Sequence, residues 1–114
     1  MLGTLGCSDF FLWSGSEKTM TLRGKVTDAD TGEPLEAVLV SLEWTFADTS
    51  STNARDHVDT SSLATGDYEL KVKMGRMSCQ GLALFFGKGG YDAAWRLPAC
   101  KAGTQTFNLA LDPK

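Results

Sequence analysis

The chain is poor in the residues on which chemistry depends. Its 114 residues include one histidine, His57, with three cysteines and three prolines. A single histidine in a polar, Ser/Thr/Asp-rich stretch leaves no nucleophile–base pair that spacing can support, and no His/Glu ligand set for a zinc peptidase. No catalytic residue, no metal ligand and no cofactor is therefore expected. No apolar run approaches the roughly 20 residues of a membrane-spanning helix. Eleven Lys and Arg stand against 14 Asp and Glu and are scattered singly, so the net charge of -3 offers no electrostatic footprint for DNA or RNA. Helical periodicity is missing apart from the short stretch 91–95.

What is present is a period-two alternation that starts near Met20. Leu22, Gly24 and Val26 share one face of a first strand and Arg23, Lys25 and Thr27 the other. Asp28 to Pro34 then combines Asx-type turn formers, a glycine free to take positive φ and a proline that cannot donate to a ladder. The strongest strand, 37–46, aligns Val38, Val40, Leu42, Trp44 and Phe46, which places Trp44 in the core. A long polar loop over 47–64 ends in a weak strand around 58–63. Strands follow at 68–74 (Tyr68, Leu70, Val72 and Met74 inward), 79–86 (Leu82, Leu84 and Phe86 on one side), 91–97 and 107–111. Short strands punctuated by turns, with 42% hydrophobic and 22% charged residues, imply one all-β domain, an antiparallel sandwich of about seven strands.

Residues 1–18 differ from the rest and read as a leader remnant and tether, with an apolar clump at Phe10–Trp13 and a Ser14-Gly15-Ser16 spacer; the sandwich domain occupies 19–114. An exported domain meets an oxidising compartment, so Cys79 and Cys100 are expected to form a disulfide, the alternative being two reduced thiols. Cys7 is then the odd cysteine and is read as a lipid attachment site, since Thr4-Leu5-Gly6 before it is similar to the end of a lipoprotein signal. That reading needs translation to begin upstream of Met1. The alternative is a mis-set gene start with an unprocessed leader.

The segment from Leu22 to Leu42 resembles the opening of carboxypeptidase regulatory-like domains: a Gly-x-Val strand (Gly24, Val26), an Asp-x-x-Thr-Gly-x-Pro-Leu turn (Asp28 to Leu35) and an Ala-x-Val strand from Ala37. Gly66-Asp67-Tyr68 is similar to the family's second signature and Gly90-Tyr91 to its third. The resemblance covers about 20–112 and implies a transthyretin-like, or prealbumin-like, Greek-key sandwich. The long loop after Phe46 and the two later cysteines depart from the family pattern. A transthyretin-like relative, 5-hydroxyisourate hydrolase, uses several histidines and a terminal Tyr-Arg-Gly-Ser; this chain has one histidine and closes on Leu-Asp-Pro-Lys, so that activity is not expected.

Two further features invite a functional reading. Asp28, Asp30 and Glu33 are spaced like the start of a calcium loop, but the residue where a bidentate carboxylate belongs is Leu39, and turn chemistry accounts for all of them. Leu39, Phe85 and Trp95 point away from the expected core, as an apolar or sugar-stacking patch or as cover for a sheet face. The expectation is a non-catalytic structural or accessory module of an exported bacterial envelope protein, its partner an unknown envelope protein or a glycan. The alternative is a carbohydrate- or peptide-binding module, which a solvent-exposed coplanar aromatic pair beside a groove would favour.

Overall fold

The computed structural model describes residues 18–45 and 55–114, so Cys7, the Phe10–Trp13 clump, Phe46 and the centre of the polar loop lie outside the described residues. Among the described residues, eight strands form two four-stranded sheets: β1 (Thr19–Asp28), β2 (Leu39–Thr45), β3 (Arg55–Ser61), β4 (Asp67–Lys73), β5 (Ala83–Gly87), β6 (Ala94–Arg96), β7 (Gly103–Thr106) and β8 (Leu109–Leu111). The first sheet has the order β4-β1-β7, with β8 also on β1; the second has β3-β2-β5-β6. The hairpin β2–β3 crosses to the second sheet and β4 returns antiparallel beside β1, the winding of a Greek key. The all-β sandwich expected from the alternation is the fold.

The core sits between the sheets and is made of the inward residues named by the alternation. Met20, Leu22 and Val26 from β1 face Val40, Leu42 and Trp44 from β2, with Leu70, Val72, Leu84, Phe86, Leu109 and Leu111 between them. Trp44 is 2% exposed. Val38 is fully buried although it precedes β2, because a turn at Ala37, with φ of 61°, aims the chain inward. Buried Ser62 secures that turn, its hydroxyl donating to the Leu35 carbonyl at 2.6 Å and accepting from the Val38 N–H at 2.9 Å.

The C-terminal strand is one strand more than expected because it is broken in two. Both halves run parallel to β1, in the same register, Met20 against Gly103 and Val26 against Leu109. Between them the Phe107 carbonyl turns toward β1 at Gly24, where a Cβ would collide with it. Asn108 bridges the break by accepting the Lys25 N–H on its side-chain oxygen at 2.9 Å. Gly24 is thus needed for close approach of two backbones rather than for its own conformation.

Other boundaries move for similar reasons. The strand expected over 79–86 begins at Ala83. Gly81 has a positive φ of 64°, and the Gln80 carbonyl accepts from both the N–H and the hydroxyl of Thr45, so 79–82 is a loop rather than ladder. The weak strand expected at 58–63 is a seven-residue strand starting at Arg55, paired along its length with β2. Its polar composition hid it; pairing with the strongest strand in the chain decides the matter. Tyr91 makes only an isolated bridge to Pro113, and β6 is reduced to Ala94–Arg96.

Candidate functional site: the outer face of the second sheet

Alternation on β2, β3, β5 and β6 sends Ser41, Asp59, Phe85 and Trp95 to the outer face, and the registers set them in one row across four strands: Asp59 beside Ser41, Ser41 beside Phe85, Phe85 beside Trp95. Leu39 lies one step along the same face. Leu39 is 42% and Trp95 49% exposed, so two of the three outward residues picked from the sequence are at the surface; the third, Phe85, is half-buried. The Phe85 and Trp95 rings meet edge to face, centroids 4.8 Å apart and planes at 62°, so the exposed pair is not the coplanar platform that would mark a binding groove. Trp44, which could have paired with Trp95 on such a platform, is buried.

The polar end of the row contains the chain's only histidine. His57 is on β3 rather than in a loop, and residues two apart on a strand share a face, which brings it to Asp59. Its Nδ1 donates to Asp59 Oδ1 at 2.9 Å, the carboxylate being able only to accept. The Ser41 hydroxyl also bonds Asp59, and that bond is the largest single cause that holds the Asp59 carboxyl below the ordinary carboxylate value, with the bond and charge of His57 adding to it. The bond to Asp59 is likewise the main cause that raises His57 above the usual imidazole value. Serine, histidine and aspartate therefore meet, but with aspartate in the middle. A general base must take the proton of its nucleophile, and His57 does not touch Ser41, so the arrangement lacks the relay of a hydrolase. Sequence reading missed Ser41 and Asp59; the Asp-His-Val-Asp run would have revealed the pair once 55–61 was read as strand.

The remaining sequence motifs are fold devices. Asp28 Oδ1 accepts the N–H groups of Asp30 and Thr31 at 2.7 and 3.0 Å, and its Oδ2 accepts the Tyr91 hydroxyl at 2.7 Å. The Tyr91 bond is the largest reason that Asp28 is held below the ordinary carboxylate value, and the same bond pushes the Tyr91 phenol up. Both oxygens of the residue that would open a calcium loop are thus engaged by the chain itself, and among the described residues no three His, Cys, Asp or Glu side chains gather in a way that could hold a metal ion. Gly32 and Gly66 adopt φ of 77° and 83° in their turns. Tyr68, which follows Gly66-Asp67, packs edge-on against Phe86 and donates to the Phe107 carbonyl at 2.8 Å at the break between β7 and β8; burial pushes its phenol up to about 12.

Cys79 and Cys100 are joined, with Cα atoms 5.8 Å apart. Cys79 lies in the connection from β4 to β5 and Cys100 in that from β6 to β7, so the bond staples the two crossovers between the sheets.

No family model matches the chain, and no curated protein does. Solved structures do. A 3-chlorocatechol 1,2-dioxygenase from Rhodococcus opacus 1CP is similar with a TM-score of 0.59 at 17% identity, over 87% of this chain and 61% of that one. The dioxygenase domain of a dioxygenase carbohydrate-binding protein fusion from Streptomyces sp. SirexAA-E gives 0.55 at 16%, over 89% and 84%. The C-terminal domain of the shaft pilin spaA from Lactobacillus rhamnosus GG gives 0.50 at 14%, over 86% and 100%. The chain spans about three-fifths of the first of these. At such identities the likeness is one of fold: enzymes and a pilin share this sandwich, and what the chain has in common with all three is the β-sandwich itself.

Proposed function

We propose that the chain is a non-catalytic accessory module of an exported envelope protein, built on the carboxypeptidase regulatory-like plan and serving as a rigid spacer or docking domain. The observation that carries the reading is the Cys79–Cys100 disulfide, a bond that persists in oxidising compartments and here ties the two inter-sheet connections. The side chains from which chemistry would be built are employed in the fold: Asp28 by Tyr91, Tyr68 by Phe107, Asp59 by Ser41 and His57. The likeness to a shaft pilin domain agrees with a module role. Cys7, left over by the pairing, is the proposed lipid attachment site.

Thiol labelling of denatured, unreduced protein tests the export reading. One reactive cysteine at most is expected, and three would refute it. Reduction should lower stability by about 3 kcal/mol for a bond spanning 21 residues. Mass spectrometry of the N-terminal peptide, from a gene expressed with its upstream region, tests the anchor; an unmodified Cys7 still preceded by Met1–Gly6 excludes it. A screen with 5-hydroxyisourate and ester and peptide substrates should show no turnover. Turnover abolished by His57→Ala would make the protein an enzyme.

The exposure of Leu39 and Trp95, rather than the geometry of the ring pair, supports a second reading, in which the outer face of the second sheet binds a glycan or peptide. Loss of binding to such a ligand on Trp95→Ala would establish it.

A further inference from the structure

A second surface has the chemistry of a ligand site. A cleft of about 420 Å3 is lined by Arg23 and Lys25 of β1, Asp67 and Glu69 of β4, Thr106 of β7, and Asn108 at the break between β7 and β8. The antiparallel register sets Glu69 opposite Arg23 and Asp67 opposite Lys25; the parallel register sets Thr106 beside Arg23. Unlike charges facing one another across a sheet ordinarily close into ion pairs. Here they do not: no ion pair joins Arg23 to Glu69 or Lys25 to Asp67, whereas His57 and Asp59 on the other sheet do pair. Asp67 instead accepts the Thr65 hydroxyl at 2.7 Å. Asn108 is fixed through its side-chain oxygen by the Lys25 N–H, which leaves its two amide donors unused within the chain.

The two cations and two anions sum to zero, so the cleft has no net pull on a polyanion or a polycation. Donors and acceptors alternate at the strand spacing of about 5 Å. A hydroxyl donates to a carboxylate and accepts from a guanidinium or amide, so a run of hydroxyls on one ring matches this pattern, whereas an extended peptide would seek unpaired backbone at a sheet edge. The β1 backbone is already paired on both sides, with β4 and with β7 and β8. Leu63, 64% exposed among the lining residues, offers apolar surface to the C–H face of a sugar. We propose that this cleft binds a neutral polyhydroxylated ligand, a short glycan segment, with Arg23, Glu69 and Asn108 as the polar contacts. The site is separate from the Phe85–Trp95 face and independent of whether the protein is exported.

Backbone NMR titration of the full chain with cellohexaose, maltohexaose and laminarihexaose tests it. At least one should perturb the amides of residues 23–25, 67–69 and 106–108 at millimolar concentration. Arg23→Ala and Glu69→Ala should each weaken that binding about tenfold while melting as the parent does, both side chains being exposed. Trp95→Ala should leave it unchanged. The proposal is overturned if none of the three sugars perturbs these amides, if perturbation centres on Phe85 and Trp95, or if heparin or pentalysine binds the cleft more tightly than the sugars. Of these, only perturbation at Phe85 and Trp95 would instead support the aromatic face as the binding site.

Discussion

The two outer faces of the sandwich differ more than its two inner ones. On the first sheet, β1 and β4 send Thr21, Arg23, Lys25, Thr27, Glu69, Lys71 and Lys73 outward, a polar surface without a large hydrophobic residue. On the second, the outward residues include Leu39, Phe85 and Trp95, and only the β3 side is polar. An antiparallel sheet with one wet face shows clean alternation, and the first sheet does. Strands apolar on both sides, such as Ala83 to Phe86, are those of a sheet covered twice, yet on the outer face of the second sheet Leu39 and Trp95 are exposed, while Ser41 between them is buried. The difference puts stability on the inner faces and leaves the outer ones, aromatic on one sheet and polar on the other, as the surfaces on which the proposed interactions are to be tested.

The largest expected effect separates inside from outside on the same sheet. Trp44→Ala should cost about 3–5 kcal/mol, because its ring is enclosed by the core and leaves a cavity when removed. Trp95→Ala should cost about 1 kcal/mol or less, the value of one edge-to-face contact on a half-exposed ring. Denaturant melts of the two variants measure both. Equal losses would mean that the outer face is as tightly packed as the core, and that no interaction surface remains there.

How far the sequence revealed this follows the same division. Inward residues were legible because alternation writes them directly: Leu22, Val26, Val40, Leu42 and Trp44 were placed by pattern alone and are buried. The turn at Asp28 and the Gly66-Asp67-Tyr68 start of β4 were legible as motifs, but their partners were not. Nothing local says that Tyr91 reaches Asp28 across 63 positions or that Tyr68 reaches Phe107 across 39. The strand at Arg55–Ser61 was under-read because its own residues are polar and its strand character comes from β2. The cleft at Arg23 and Glu69 was invisible for the same reason, since it exists only once the register of β1 and β4 is known.

A smaller effect tests how the first sheet is closed. Tyr68→Phe removes the hydroxyl bond to Phe107 and leaves that carbonyl short of a partner, at a cost of about 1–2 kcal/mol. The pH dependence provides an independent sign. Burial raises the Tyr68 phenol from the ordinary 10.0 to about 12, so the folded state favours the protonated form. The stability linked to it is complete below about pH 10 and is lost as pH rises toward about 12. Thermal melts across that range should be less steep in Tyr68→Phe than in the parent, although Tyr91, shifted in the same direction, retains part of the slope. An unchanged slope would mean that the Tyr68 phenol is solvated.

The smallest effect belongs to the polar end of the second sheet's outer face. His57 is exposed, so its bond to Asp59 is weak in stability and best observed by titration. Hydrogen bonding to Asp59, together with its charge, raises His57 above 6.5, and bonds from Ser41 and His57 lower Asp59 below 3.8. The histidine's share is therefore present below pH 6.5 and is lost as pH rises through its raised value. The carboxylate's share is present above pH 3.8 and is lost as pH falls through its lowered value. The pair is fully formed between those limits. NMR titration of the imidazole should give a midpoint above 6.5, and Asp59→Asn should bring it back toward the ordinary value. Ser41→Ala and His57→Ala should each raise the Asp59 midpoint, because the serine bond is the largest single cause of its depression and the histidine adds a bond and its charge. If Ser41→Ala instead moved the His57 midpoint and left Asp59 unchanged, the serine would be bonded to the imidazole. Aspartate would then no longer stand in the middle, and the outer face would hold a nucleophile–base contact.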